Sequence, residues 1–291
     1  MSGAHTPASD IFAGQPADAD LLAEIYDLEH DEIREDLVFY REMVGRARGA
    51  VLDLGCGSGR LLAAFFEGGA RRVLGVDGSA ALLRRARARI AADPRLRVPA
   101  AEGRLVLRRG DVRRLRLRER ADLAVCAGVL AHLDGPDDAL RMLRAAARGL
   151  APGGLLIVDT LGPGALPTRD LPLSLDWRRS LRGREVVRRS ELTRRVAPDG
   201  LRVVYSTLTD TPRPDGTIAR LPASYRLWYP SPAAIAGLVR DAGLVVEATY
   251  GSHDLEPLDE TSERCIVVAR RGTSPGPLPG RISRVRRGSA G

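Results

Sequence analysis

One segment constrains the fold of this chain more than any other: an apolar run, a glycine-rich turn and a helix start follow one another at residues 50–61. The apolar run Ala-Val-Leu-Asp-Leu predicts a buried strand. Glycines after such a strand let the backbone approach a ligand closely, and the next helix offers free N–H donors. A dinucleotide fingerprint would place its third glycine at position 60, but that residue is Arg60. The turn therefore predicts a ligand site with a G-x-G-x-G spacing.

A carboxylate at the end of the next predicted strand strengthens this interpretation. Asp77 ends the run Leu-Gly-Val-Asp, and a carboxylate at that place can accept hydrogen bonds from both hydroxyls of a ribose. The alternative is that the glycines only shape the turn and that Asp77 only caps a helix.

Strands and helices alternate from residue 50 to residue 160. This order predicts parallel βαβ units and an α/β fold with a doubly wound, mostly parallel sheet. The predicted strands are 50–54, 72–77, 104–108, 121–126 and 154–160, and the predicted helices are 59–69, 79–92 and 137–150.

The pattern changes after residue 160. Three segments alternate apolar and polar residues without an intervening helix, and Asp199–Gly200 and Asp215–Gly216 are hairpin signals between them. They predict an antiparallel three-stranded insertion, at 184–196, 200–211 and 217–229. A helix at 231–243 and strands at 244–250 and 264–270 complete the sheet.

These patterns divide the chain into six parts. We expect a disordered N-terminus (1–17), a helical lid (18–49), a ligand-binding core (50–160), a substrate-side insertion (161–230), the C-terminal part of the core (231–271) and a disordered basic tail (272–291).

The charges exclude some chemistry. All 45 basic residues are arginine, so no mechanism that needs a lysine is available. The net charge of +8 is unevenly distributed, because residues 18–42 hold ten acidic residues and residues 71–120 hold sixteen arginines.

The cysteines and the absence of targeting signals indicate where the chain works. The three cysteines, Cys56, Cys126 and Cys265, are far apart and indicate neither a disulfide framework nor a zinc site. No signal peptide or membrane-spanning segment is visible, so a cytoplasmic enzyme without a metal is expected.

Several motifs in order now resemble a known family. Asp-Leu-Gly-Cys-Gly-Ser-Gly at 53–59, Gly-Val-Asp-Gly-Ser at 75–79, Gly110–Asp111 and the Pro-Gly-Gly junction at 152–154 resemble the class I S-adenosylmethionine-dependent methyltransferases of the small-molecule type. The resemblance covers about residues 50–160. It implies a seven-stranded Rossmann-like sheet, S-adenosylmethionine as cofactor, and methyl transfer to a nitrogen or oxygen of a small molecule.

The resemblance also implies roles for individual residues. Asp53, Gly55, Cys56 and Gly57 would line the methionine end of the cofactor, and Asp77 with Gly78 would hold the ribose. Leu82 would pack on the adenine, and Asp111 would accept a hydrogen bond from the adenine amino group, with the backbone of Val112 beside it. Cys126, Ala127 and the aromatic ring of Tyr26 would surround the sulfonium, although Tyr26 is equally explained as a half-buried helix aromatic.

His132 is the candidate general base. It follows the fourth predicted strand, at the carboxyl edge where ligands of doubly wound sheets bind. A base is often unnecessary here, because alignment supplies much of the acceleration, and a packing role is the alternative. His30 and His253 are expected to be solvated.

The acceptor is left open by the sequence. The acidic lid favours a cationic amine, and Tyr205, Tyr225, Trp228, Tyr229, Trp177 and Arg178 are candidate pocket residues. An RNA methyltransferase would use Arg84, Arg85, Arg87 and Arg89, which are also explained as a solvated helix face. Residues 126–129 lack the Asn/Asp-Pro-Pro-aromatic motif of base-amine methyltransferases, so nucleic acid is not the expected partner, nor is a membrane. A protein that binds the cofactor without catalysis is the other alternative.

Overall fold

The structure is a computed structural model that describes residues 11, 12, 14 and 18–273. The two segments predicted to be disordered, 1–17 and 272–291, lie almost entirely outside these residues. In chain order the helices are α1 (Ala19–His30), α2 (Glu35–Ala47), α3 (Leu62–Glu67), α4 (Ala80–Ala92), α5 (Pro94–Ala101), α6 (Pro136–Gly149) and α7 (Pro232–Asp241). The strands are β1 (Ala50–Leu54), β2 (Arg72–Asp77), β3 (Leu105–Arg109), β4 (Ala121–Ala127), β5 (Leu150–Leu161), β6 (Leu171–Leu181), β7 (Arg184–Ala197), β8 (Gly200–Pro212), β9 (Ile218–Tyr229), β10 (Leu244–Tyr250) and β11 (Arg264–Arg271).

A seven-stranded sheet forms the centre of the molecule, with the order β10-β11-β5-β4-β1-β2-β3. The five strands from β1 to β5 pair in parallel, and β11 and β10 add antiparallel strands at one edge. The predicted doubly wound, mostly parallel seven-stranded fold is confirmed. The order reverses between β1 and β4, so the carboxyl ends of these two strands flank the crevice where such sheets bind ligands.

Burial on both faces explains the continuous apolar runs of the parallel strands. On one face Leu52 and Leu54 pack with Met142 of α6. On the other face Val51 packs with Tyr40 of α2 and with α3. Two separate apolar layers, one on each face, therefore hold the sheet in place. They also fix the strand ends that carry the polar side chains.

The insertion is larger than its sequence pattern predicts. It is an antiparallel sheet of four strands in the order β6-β7-β8-β9, and the prediction of three strands missed β6. Most side chains of β6 are exposed and Pro172 interrupts it, so the strand lacks a buried apolar face to reveal it. Its hairpin to β7 turns at Arg182 and Gly183, which both have positive φ. Helix α5, which contains Pro99, was also not predicted.

Helix α1 is fixed between α4 and the antiparallel sheet by charged side chains. On the α4 side, Arg85 bonds to Asp27 at 2.6 Å and Arg89 bonds to Asp31 at 2.6 Å. Interpreting these two arginines as a solvated face is therefore wrong, whereas Arg87 of the same helix is exposed. Opposite-charge pairs of this kind hold α1 against α4.

The antiparallel sheet holds the other side of α1. Arg188 of β7, which is buried, pairs with Glu29, and the Nε1 of Trp177 donates to the same carboxylate at 3.0 Å. Arg182 pairs with Glu24. Among the described residues, no helix is long and apolar enough to cross a membrane.

Candidate active site

A cavity of about 1210 Å³ opens at the carboxyl edge of the seven-stranded sheet. Helices α1 and α2, the glycine-rich turn, the ends of β2, β4 and β5, and the loop 251–263 form its walls. This edge is where the sequence places the ligand.

The glycine-rich turn is shaped by backbone hydrogen bonds to β2. The N–H groups of Gly55 and Cys56 donate to the carbonyl of Val76, at 2.7 and 3.1 Å. Gly55 and Gly57 have φ values of 75° and 54°. A Cβ at Gly55 would overlap the Cγ2 of Val129, so this position requires glycine.

Asp77 connects the turn to the next helix. Its Oδ2 accepts from the N–H of Gly57 at 2.8 Å, and its Oδ1 accepts from the N–H of Ser79 at 2.7 Å. The cap of α4 is Ser79, whose hydroxyl accepts from the N–H of Leu82. The alternative role of Asp77 as the helix cap therefore falls to Ser79, and Asp77 lies in the cavity wall.

Asp53 is a buried carboxylate without a hydrogen-bond partner among the described residues. Only 2% of it is exposed. Burial, and then the nearby charge of Asp77, raise its pKa to about 7 against the opposing charge of Arg60. A carboxyl group in this state suits a ligand that brings a positive charge, such as the amino group of a methionine moiety.

Tyr26 of α1 covers the turn. Its ring stacks on His30 with the centroids 4.0 Å apart, and its hydroxyl would lie 3.6 Å from a Cβ on Gly57. Burial, and then the charge of Asp77, raise the pKa of Tyr26 to about 12, so the phenol stays protonated. His30 was expected to be solvated, but it lies in the cavity wall and its Nδ1 bonds to the carbonyl of Tyr26.

Arg60 was not predicted as a site residue, although it stands in the glycine-rich segment. It reaches the cavity and pairs with the buried Asp36 of α2 at 2.5 Å, and it donates to the carbonyl of Ile33. Its place after the third glycine is the signal that could have found it. Arg60 therefore lies in the cavity wall beside the glycine-rich turn as one half of an ion pair.

An ion pair lies beside the part of the cavity where the adenine is expected. Leu82 and Val112 line the cavity, but Asp111 does not. Arg113 binds both oxygens of Asp111 and also binds Asp138. Burial opposes ionisation of Asp111, but the hydrogen bonds from Arg113 hold its pKa below the usual range.

The structure brings most of the predicted site residues together around one cavity. Those in its lining are Tyr26, Gly55, Gly57, Asp77, Gly78, Leu82, Val112, Ala127 and His132. Asp53, Cys56, Asp111 and Cys126 are not among the residues that line the cavity. Burial raises the pKa of both the Cys56 and the Cys126 thiols, so neither is a thiolate nucleophile.

His132 lies in the cavity wall after β4. Burial lowers its pKa to about 4, with a further contribution from the charge of His30. The imidazole is therefore neutral at pH 7, and it takes up a proton less readily than an ordinary histidine.

A polar cluster at the end of β5 was missed. The buried Asp159 accepts at Oδ2 from the Tyr40 hydroxyl (2.6 Å) and is bonded there to Nε2 of His253 (2.9 Å), while Arg264 donates to Oδ1 (2.9 Å). His253 was expected to be solvated, yet it is 12% exposed and lines the cavity. Asp159 lies near the carboxyl end of an apolar strand, and this position is the sequence signal that could have predicted the cluster.

Most aromatic residues proposed for the pocket lie elsewhere. Only Tyr229 lines the cavity. Trp228 is buried and its Nε1 donates to the carbonyl of Asp199. Trp177 and Tyr225 pack against the cluster beneath α1, and Tyr205 stacks on Tyr225, so they attach the lid to the antiparallel sheet. Arg178 is exposed and pairs with Glu185.

Comparison with known proteins agrees with this geometry. Residues 51–154 match the family model described as a methyltransferase domain. The probable methyltransferase ltbC of Aspergillus luteorubrus is 32% identical over 131 residues, which are 44% of this chain and 45% of that protein. The matched region is thus about half the length of this curated relative.

Two solved structures share the fold. An S-adenosylmethionine-dependent methyltransferase from Clostridium acetobutylicum is 18% identical with a TM-score of 0.68, and the match covers 87% of this chain and 98% of that one. The sugar N-methyltransferase KedS8 from Streptoalloteichus is 20% identical with a TM-score of 0.66, and the match covers 85% of this chain and 92% of that one. Residues 51–154 therefore match a methyltransferase domain, and the solved structures confirm the predicted methyltransferase fold.

Proposed function

We propose that this protein transfers the methyl group of S-adenosylmethionine to a nitrogen or oxygen of a small molecule bound in the same cavity. The observation that carries the proposal is the continuity of the cavity. It runs from the glycine-rich turn and Asp77 to the end of β5 and the loop 251–263. Its volume of about 1210 Å³ exceeds the roughly 300–1,000 Å³ of an ordinary ligand pocket, so it accommodates a cofactor and a second molecule.

The residues around the turn fit the cofactor. The carboxylate of Asp53, which has no hydrogen-bond partner among the described residues, suits the ammonium of its methionine part. Asp77 would hold the ribose hydroxyls, and Leu82 and Val112 would pack on the adenine. The cofactor supplies a methyl group bound to a cationic sulfur. Ala127 and the ring of Tyr26 give that cation an uncharged surrounding.

The charge expected of the acceptor is inferred from the loop 251–263 and not from the acidic helix α1. The acidic side chains of α1 are largely paired with arginines, as Asp27 with Arg85 and Glu29 with Arg188, so they give no reason for a cationic acceptor. The loop 251–263 gives a separate reason to expect a cationic acceptor. It exposes Asp254, Glu256 and Glu263 in the cavity wall, where the cations Arg60 and Arg264 are already paired. This surplus of negative charge favours an amine over a neutral hydroxyl.

An RNA acceptor has less support. The helix α4 arginines that would have to contact phosphate include Arg84, Arg85 and Arg89, which pair with α1. A protein that uses its cationic face to hold its own lid has less charge to offer to a phosphate backbone.

Transfer of labelled methyl groups tests the proposal. The purified chain is incubated with methyl-labelled S-adenosylmethionine and, in turn, glucosamine, tyramine, catechol and total RNA. We expect label on the amines. Label on catechol alone would contradict the preference for nitrogen. Label on RNA alone would show that RNA and not a small molecule is the acceptor. Binding of the cofactor without any transfer would show that the protein binds the cofactor but is not an enzyme.

A further inference from the structure

We propose that His253, oriented by Asp159, is the general base that takes the proton from the acceptor. The inference rests on the proposed function, and it assigns to His253 the role of general base that the sequence predicts for His132. His253 belongs to the polar cluster at the end of β5.

The ionised state of Asp159 fixes the hydrogen atoms of the cluster. Burial raises the pKa of Asp159, but the bond from His253 and the charge of Arg264 outweigh it and hold that pKa below the usual range. A carboxylate only accepts hydrogen bonds, so the Nε2 of His253, at 2.9 Å, carries the hydrogen. In the neutral ring Nδ1 then holds a lone pair.

No described residue occupies that lone pair. The hydrogen bonds of His253 within residues 18–273 involve Nε2 alone. Phe39 and Tyr40 pack beside the ring, with centroids 5.6 and 6.1 Å away, and the side chain is still 12% exposed in the cavity wall. The ring is thus fixed in position with one basic nitrogen available to a bound molecule.

The cluster stands one strand away from the expected position of the methyl group. Asp159 is paired in register with Ala127 of β4, and its backbone carbonyl accepts from the N–H of Gly128 at 2.8 Å. Ala127 belongs to the wall expected beside the sulfonium. A molecule that approaches from the loop 251–263 therefore meets His253 before it reaches the methyl group.

The step balances without any further reactant. The acceptor nitrogen or oxygen forms a bond to the methyl carbon while the carbon–sulfur bond breaks, and that electron pair stays on the sulfur. The proton of the acceptor passes to Nδ1 of His253, and the imidazolium is stabilised by the Asp159 carboxylate. For an ammonium acceptor, Nδ1 of His253 takes that proton before the attack, and the methylated product leaves as its ammonium ion.

His132 is less suited to this role. Burial lowers its pKa to about 4, and no described residue forms a hydrogen bond with its imidazole. The charged and titratable groups that face His253 are different: Asp159 on β5, Arg264 on β11, and Tyr40 and Glu35 on α2.

The tautomer is tested by magnetic resonance on the full chain labelled with ¹⁵N-histidine, with S-adenosylhomocysteine as the bound probe. The signal lost in His253→Gln identifies His253. We expect hydrogen on Nε2 and none on Nδ1 at pH 8, and a mixture of tautomers in Asp159→Asn. Hydrogen on Nδ1 in the wild-type chain would overturn the proposal whatever the turnover.

The catalytic role is tested with the acceptor of the panel that turns over fastest. His253→Gln keeps a donor towards Asp159 but lacks the base, so we expect kcat to fall about 100-fold with unchanged affinity for S-adenosylhomocysteine. His253→Ala should regain activity with added imidazole, in proportion to the neutral imidazole. Glu260→Gln, an exposed change in the same loop and outside the cavity lining, should change nothing.

The outcomes separate the two proposals. Wild-type rates in His253→Gln, or no rescue by imidazole, would overturn the role of His253 while the proposed function stands. A wild-type chain that methylates none of the probes would overturn the proposed function, and the role of His253 with it.

Discussion

The backbone N–H of Gly57 donates to Oδ2 of Asp77 at 2.8 Å, and this bond joins the turn after β1 to the end of β2. The same carboxylate receives the N–H of Ser79, so it sets both the turn and the start of α4. Two residues twenty positions apart thus form one binding surface.

Replacing Asp77 should weaken cofactor binding. Asp77→Ala removes a carboxylate that bonds two backbone N–H groups and is positioned for the ribose. A hydrogen bond to a charged group is worth about 1.5–3 kcal/mol, so we expect the Kd of S-adenosylhomocysteine to rise roughly 10- to 100-fold. Calorimetry measures it, with Glu260→Gln as control. An unchanged Kd would show that the ribose binds elsewhere.

The glycine at position 57 should be indispensable for binding. Gly57 has a φ of 54°, a region that a β-branched residue avoids, and a side chain there would meet the ring of Tyr26. Gly57→Val should therefore abolish detectable binding of S-adenosylhomocysteine in calorimetry. Gly216→Ala offers a matched change at positive φ in an exposed turn away from the cavity, and it should leave binding intact. Binding by Gly57→Val would mean that the site is misplaced.

The core of the fold was predictable because its signals are local. A buried parallel strand is a continuous apolar run. The glycine-rich turn after β1 and the carboxylate of Asp77 can each be recognised within one short segment of the sequence. Strand β6 was missed because its side chains are mostly exposed, so it lacks the periodicity of a half-buried strand.

The site was predictable only where one segment carries it. His253 and Asp159 are 94 residues apart, and Arg85 and Asp27 are 58 apart. These bonds depend on which strands and helices pair in space, and no spacing in the chain reports that. For the same reason Arg85 and Arg89, whose sequence pattern predicts a solvent-exposed helix face, are instead bonded to Asp27 and Asp31.

The ion pairs between α4 and α1 should control opening of the lid. Arg89→Gln removes bonds to Asp31 and Asp27. Partly exposed pairs contribute about 0.2–1 kcal/mol each, so we expect roughly 1 kcal/mol less stability and faster hydrogen exchange in α1. Arg87→Gln, on the exposed side of the same helix, is the matched control. Equal exchange in both variants would show that apolar contacts alone hold α1.

Binding of the cofactor product should release a proton from Asp53. The pKa of Asp53 is about 7 in the folded chain against an ordinary value of 3.8, so the folded state binds more protons than the unfolded state between these values. Its contribution to stability is therefore fully present below about pH 3.8 and is lost as the pH rises through about 7. A ligand ammonium beside Asp53 favours the carboxylate and reverses the shift.

Affinity for S-adenosylhomocysteine should therefore rise between about pH 5 and pH 7, with proton release of up to one per site. Calorimetry in two buffers of different ionisation enthalpy measures that release. Asp53→Asn cannot ionise, and it should bind more weakly with no such dependence on pH. If wild type and Asp53→Asn released the same number of protons, the ammonium would not lie beside Asp53, and another group would have to hold it.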